Sequence, residues 1–176
     1  MFEKLHHIAY RCRDAQKTVD FYTNVIGLKY AAAVLPPEGR KSYGEPCESI
    51  HIFFELGDGS YLAFFDVASS PPEQPDANTP WWVKHLAFEV PSMEALAEGK
   101  RRLLAAGYDV LGPKDHGFVQ SIYFFDPNGH RLEMTCRSEK AGELADMARA
   151  APHQLAEWNE RKRRLFGQEA LNPAAE

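Results

Sequence analysis

Three residues, His7, His85 and Glu133, are of the types that hold a divalent first-row metal ion. Neutral imidazoles and a carboxylate suit such an ion, and two histidines with one carboxylate leave positions open for a substrate and dioxygen. They stand at equivalent or pseudo-symmetric points of an internal repeat. His7-Ile8-Ala9-Tyr10 recurs as His85-Leu86-Ala87-Phe88, and Ser49-Ile50-His51-Ile52-Phe53-Phe54 as Ser121-Ile122-Tyr123-Phe124-Phe125-Asp126. The counterpart of Glu133 in the first copy is Ala63, so the set has three protein ligands and not four.

The elements that must position these groups follow from the same repeat. After each His-containing strand comes a capping residue, Asp14 or Ser92, and then an amphipathic run. The spacing predicts one helix over about 15–25 that stops at Gly27 and another over about 93–106 that stops at Gly107. Strands are expected at about 29–35, 49–54 and 61–65 in the first copy and 108–111, 121–125 and 131–135 in the second, the last two of each joined by a Gly-containing hairpin. The unit is β-α-β-β-β, used twice: module 1 over about 4–67 and module 2 over about 81–137. Together they form a single domain over 1–137, joined by a polar connector near 68–80. Over 138–176 a helical extension is expected, broken at Pro152 and fraying from Gly167.

Alternate side chains of a strand lie on opposite faces. One set is apolar throughout, with Ile8, Tyr10, Ile52, Phe54, Leu62, Phe64, Leu86, Phe88, Phe124 and Leu132, as a helix-covered face requires. The other gathers His7, His51, Phe53, Glu55, Ala63, His85, Glu89, Tyr123, Phe125, Arg131 and Glu133. The expected fold class is therefore α+β: two tandem βαβββ modules forming a cupped mixed sheet around a metal site, plus C-terminal helices. A solvated sheet face is the plainer alternative for the second set, but such faces mix Lys and Ser with Glu and do not align His with aromatics.

Composition narrows the partners. With 20 Lys and Arg against 25 Asp and Glu, a net charge of −5, the chain offers no basic face for nucleic acid. No run reaches the roughly 20 apolar residues of a membrane helix, and the N-terminal residues lack the pattern of a signal peptide, so a cytoplasmic protein with no membrane partner is expected. Cys12, Cys47 and Cys136 are odd in number and set in apolar runs, which suits reduced thiols.

Four segments, His7–Tyr10, Phe21-Tyr22-Thr23-Asn24-Val25-Ile26-Gly27-Leu28, His85-Leu86-Ala87-Phe88-Glu89-Val90 and Tyr123–Glu133, resemble the vicinal-oxygen-chelate superfamily over about residues 4–137. That superfamily includes glyoxalase I, bleomycin-resistance proteins and type I extradiol dioxygenases. Glyoxalase-like members use a Glu on the last strand of each copy, and Ala63 departs from that. The extradiol enzymes carry two His and one Glu, an acid/base His on the third strand of the first copy and a Tyr on the third strand of the second; His51 and Tyr123 match those roles. The resemblance thus implies an extradiol-type dioxygenase acting on a small catechol-like aromatic with O2, using Fe(2+), with Mn(2+) or Zn(2+) as alternatives. A glyoxalase- or epimerase-like isomerase or lyase and a non-catalytic ligand-binding protein are the competing functions.

Further residues are placed around this centre. His116, in the loop before the third strand of module 2, either reaches the cavity mouth to bind substrate or lies on a plain surface loop. Phe53, Phe125 and Trp81 or Trp82 are candidate walls for an aromatic ring. His6 is expected on the face opposite His7, and His130 and His153 at the surface. The C-terminal helices with Trp158 and Leu165 either cover the pocket or make a homodimer contact, the commonest assembly.

Overall fold

A computed structural model describes residues 3–39, 41–42, 45–46, 48–68, 71, 73 and 76–167. Module 1 runs β1 (His7–Cys12), α1 (Ala15–Asp20), β2 (Lys29–Val34), a short hairpin of β3 (Lys41–Ser42) and β4 (Glu45–Pro46), β5 (Ser49–Glu55) and β6 (Tyr61–Val67). Module 2 runs β7 (Leu86–Glu89), α2 (Met93–Ala105), β8 (Leu111–Asp115), β9 (Val119–Phe125) and β10 (Arg131–Arg137), and is followed by α3 (Glu143–Phe166). The two four-stranded sheets share one topology. Their orders are β1-β6-β5-β2 and β7-β10-β9-β8, with the first strand of each module parallel to its last and the other pairs antiparallel.

Both helices start where a side chain can accept from the backbone: Asp14 from Lys17 N at 2.9 Å and Ser92 from Ala95 N at 3.2 Å. The first helix is not regular to its end. From Phe21 to Ile26 it widens into a π-helical turn, closed by Gly27 at φ 91°. This turn buries both Phe21 and Tyr22 in the core. Helix α2 packs on β9, β10 and this π-turn, so residues of both modules share a single core that includes Tyr22, Ile52, Phe54, Phe64, Leu96, Leu103, Ile122, Phe124 and Leu132. The apolar set of strand residues lies in or against this core, and the polar set therefore lies on the far side of each sheet.

Asp126, 4% exposed, is the polar joint between the modules. It accepts from Tyr22 Oη at 3.0 Å, from Asn128 N at 2.9 Å and Nδ2 at 3.0 Å, and from His130 N at 2.8 Å. Asn128 in turn accepts from Arg13 N at 2.9 Å. Replacing Asp126 with Ala leaves several buried donors without an acceptor and should lower the unfolding free energy by about 3 kcal/mol, read as a lower urea midpoint.

Several expectations are corrected. The fourth sheet strand of module 2 begins at Leu111, not Tyr108, because a register shift at Gly112-Pro113 carries the pairing on to Asp115. Helix α3 is unbroken across Pro152: the residue forfeits one hydrogen bond, but the helix has no buried residue, so the freed carbonyl is not shut away from solvent. His130 is half-buried, with Nε2 2.7 Å from Arg11 O and its ring 4.9 Å from Tyr10. Cys12 and Cys136 are buried free thiols, and burial pushes the Cys12 thiol up to about 11. Cys47, most of the connector near 69–75 and the tail from 168 lie outside the described residues.

The repeat also aligns differently at its third strand. Ala63 pairs with Phe53, and Glu133 pairs with Tyr123, so the counterpart of Tyr123 is Phe53 and that of His51 is Ser121. Matching the two runs by their initial Ser-Ile is a two-residue slip. Side chains alternate with period two, so such a slip leaves every residue on the same face, and the hydrophobic pattern does not detect it.

Candidate metal and substrate site

Glu133 sits mid-strand on β10 between Ala87 on β7 and Tyr123 on β9. It is 6% exposed, and the small Ala87 beside it leaves room for the side chain that does reach it: His85, one residue before β7, brings Nε2 to 3.0 Å from Glu133 Oε2. His85 Nδ1 lies 3.0 Å from Val83 O, which can only accept, so Nδ1 carries the hydrogen. That bond fixes the ring and turns Nε2 toward the carboxylate, the arrangement by which a backbone carbonyl orients a metal-ligating imidazole. The connector's last turn makes this possible: Asp76 accepts from Asn78 N, Thr79 Oγ1 and Lys84 Nζ, and Val83 N closes on Pro80 O at 2.9 Å.

Tyr123 stands beside this pair, its ring 6.2 Å from that of His85. Burial, and next the negative charge of Glu133, raise the phenol pKa, so the hydroxyl keeps its proton at neutral pH. His116 does reach it, with Nε2 2.7 Å from Tyr123 Oη. Phe125 is partly exposed next to Trp81, at 6.3 Å between rings.

The second cluster lies on module 1. His7 opens β1, with His51 at 6.1 Å and Phe53 at 6.0 Å between ring centroids. His51 is stacked on Phe65 at 3.7 Å and flanked by Phe53 at 4.1 Å. Its Nε2 is shielded from solvent and has no hydrogen-bond partner among the described residues. Burial, and then the neighbouring His7, lower its pKa, which keeps the ring neutral. Ala63, fully buried, lies on β6, the strand next to that of His51, at the position that Glu133 fills in module 2. His6 does not face away from His7: it precedes the first regular strand residue, and the two Nδ1 atoms are 2.8 Å apart.

The structure thus gathers His85, Glu133, Tyr123 and His116 on one sheet and His7, His51 and Phe53 on the other. Among the described residues no three His, Cys, Asp or Glu are grouped so as to hold a metal ion, so His7 does not join His85 and Glu133 within one chain. Donor chemistry nevertheless fits a metal in halves. An imidazole lone pair and a carboxylate oxygen converge on module 2, and a further exposed imidazole lies on module 1. Arg131 opens β10 two residues before Glu133, where strand alternation places it on the same face.

The family model for the Glyoxalase/Bleomycin resistance protein/Dioxygenase superfamily matches residues 4–134. Among curated proteins, the chain is 28% identical over 141 residues to MhqA of Bacillus subtilis, a protein named as a ring-cleaving dioxygenase, and the match covers 78% of this chain but only 42% of that longer protein. It is 29% identical over 143 residues to a 2-epi-5-epi-valiolone epimerase of an Actinomyces species, covering 74% of this chain and 77% of the epimerase. Among solved structures, a domain of this superfamily from Frankia sp. EAN1pec superimposes with TM-score 0.63 at 20% identity, covering 78% of this chain and all of the other. The fosfomycin resistance protein FosX of Listeria monocytogenes, crystallised with Mn(II) and sulfate, superimposes with TM-score 0.55 at 23% identity, covering 78% and 95%. No helix of the described residues is long and apolar enough to cross a membrane.

Proposed function

Because the chain belongs to the glyoxalase/bleomycin resistance protein/dioxygenase superfamily, we propose that it is a metal-dependent dioxygenase that opens a catechol-like aromatic ring with O2. His7, His85 and Glu133 are the proposed ligands, Fe(2+) the proposed metal, and Mn(2+) or Zn(2+) the alternatives. The observation that carries this reading is the His85–Glu133 pair, aimed by Val83 O and flanked by the Tyr123–His116 pair. The similarity to MhqA supports the choice of reaction.

The third ligand is proposed to come from a second copy of the chain. His7 faces outward on one sheet while His85 and Glu133 face outward on the other, and a two-fold dimer that sets the first face against the second makes two equivalent sites at once. When bound, the metal supplies Lewis acidity that lowers the pKa of a substrate hydroxyl. The remaining work falls to the side chains. His51, held neutral, accepts the proton from a substrate hydroxyl. Tyr123 Oη accepts from His116 when Nε2 carries the hydrogen, which leaves the phenol proton for a substrate oxygen. Phe53 and Phe125 provide apolar walls for the ring.

A second reading, an epimerase-like isomerase, has in its favour that the matched segment covers 77% of the epimerase but 42% of MhqA. Ala63, which removes the fourth ligand, and the His51 and Tyr123 pair favour the dioxygenase. The two differ in one measurable respect, since only the dioxygenase consumes O2. Metal analysis of the purified protein followed by oxygen uptake on a panel of catechols under reducing conditions should give about one ion per chain and one O2 per ring opened. Protein with neither metal nor oxygen uptake would overturn the proposal.

A further inference from the structure

Arg131 is a cation on the site face with no carboxylate of its own. It opens β10 beside Glu133, yet Glu133 is engaged by His85, and Arg131 forms no ion pair among the described residues. Its guanidinium carbon lies 4.1 Å from the centre of the Tyr123 ring and 5.5 Å from that of Trp81. Stacking on the Tyr123 ring occupies a planar face of the group and leaves its in-plane N–H edges for hydrogen bonding. One edge is used: Nη1 donates to Trp82 O at 3.2 Å. On the other edge Nε is shielded from water and has no partner. A shielded, permanently charged donor without an acceptor is costly unless something arrives to accept from it. The ring that holds it is that of Tyr123, the residue proposed to touch the substrate oxygen.

We infer that Arg131 is the receptor for an anionic substituent of the substrate, a carboxylate carried on the aromatic ring or on a short side chain of it. A planar carboxylate matches the geometry of the guanidinium edge, and the Tyr123 ring and the bond to Trp82 O fix that edge before the ligand enters. The inference rests on the proposed function for the diol but not for the acid, so the two can fail separately.

The test is equilibrium binding of benzoate and of benzamide, neither of them a diol, to the full chain, followed by the fluorescence of the tryptophans, two of which adjoin Arg131. Wild type should bind benzoate more tightly than benzamide. Arg131→Gln should lose roughly ten- to hundredfold in benzoate affinity and leave benzamide binding unchanged, the size of a lost charge-assisted contact. Should that variant not fold, Arg131→Lys decides: it keeps the charge without the fork, so the benzoate-to-benzamide ratio should fall about tenfold. Equal benzoate binding by wild type and variant, a parallel loss for both ligands, or no benzoate binding at all would each show that Arg131 only clamps the Trp82 backbone. Oxygen uptake on neutral and carboxylated catechols at equal rates overturns the inference and leaves the dioxygenase standing. Arg131-dependent benzoate binding without any oxygen uptake does the reverse.

Discussion

Chains carrying His7→Ala and chains carrying Glu133→Ala should each lose their metal and at least about 10³-fold in turnover, yet recover both when unfolded together and refolded as a mixture. The expectation follows from where the structure puts the proposed ligands. His85 and Glu133 meet at 3.0 Å on one sheet, while His7 lies with His51 and Phe53 on the other. In a reciprocal two-fold dimer, a mixed pair holds one site bearing both lesions and one bearing neither. Half of the randomly formed dimers are mixed, so about a quarter of the wild-type sites should return. Metal content measures this without recourse to catalysis. If no metal returns although labelled chains prove that mixed dimers have formed, all three ligands belong to one chain and the two-copy site is wrong.

The second large effect is expected at His51. Exchange for Phe preserves the aromatic stack on Phe65, at 3.7 Å, and so should leave fold and metal content intact. Turnover should drop by about 10²–10⁴-fold, the usual contribution of a positioned proton acceptor. The role requires a neutral ring with a free nitrogen. Both conditions are met: burial and His7 lower the pKa, and Nε2 has no partner among the described residues. Unchanged turnover, with metal content equal to wild type, would remove His51 from the chemistry.

Much of this architecture was legible in residue order, and the exceptions have definite physical causes. Alternation along each strand separated the core face from the site face, and Asp14 and Ser92 marked the helix starts, because both signals are local. The pairing of Tyr123 with Phe53 was not legible, since a two-residue slip conserves the face. Nor was the π-turn, a local widening of the helix that the apolar spacing of 15–25 does not mark. Periodicity identifies which faces are polar but not which face meets which. His7 and His85 therefore read as neighbours in a repeat although they lie on different sheets. Arg131 went unassigned because its meaning depends on Tyr123, Trp81 and Trp82 O together, which no spacing brings side by side.

Ala63 has an effect on charge as well as on ligand number. With a carboxylate at 63 matching that at 133, the protein would neutralise a divalent ion completely and an uncharged guest would suffice. With a methyl group there, a divalent ion held by His7, His85 and Glu133 would keep one unit of positive charge that these ligands do not cancel, and Arg131 would add a second nearby. The molecule best able to settle in such a place would bring its own negative charge, from an ionised hydroxyl at the proposed metal and from an acid group at the arginine. Ala63 would thus select the electrical character of what enters.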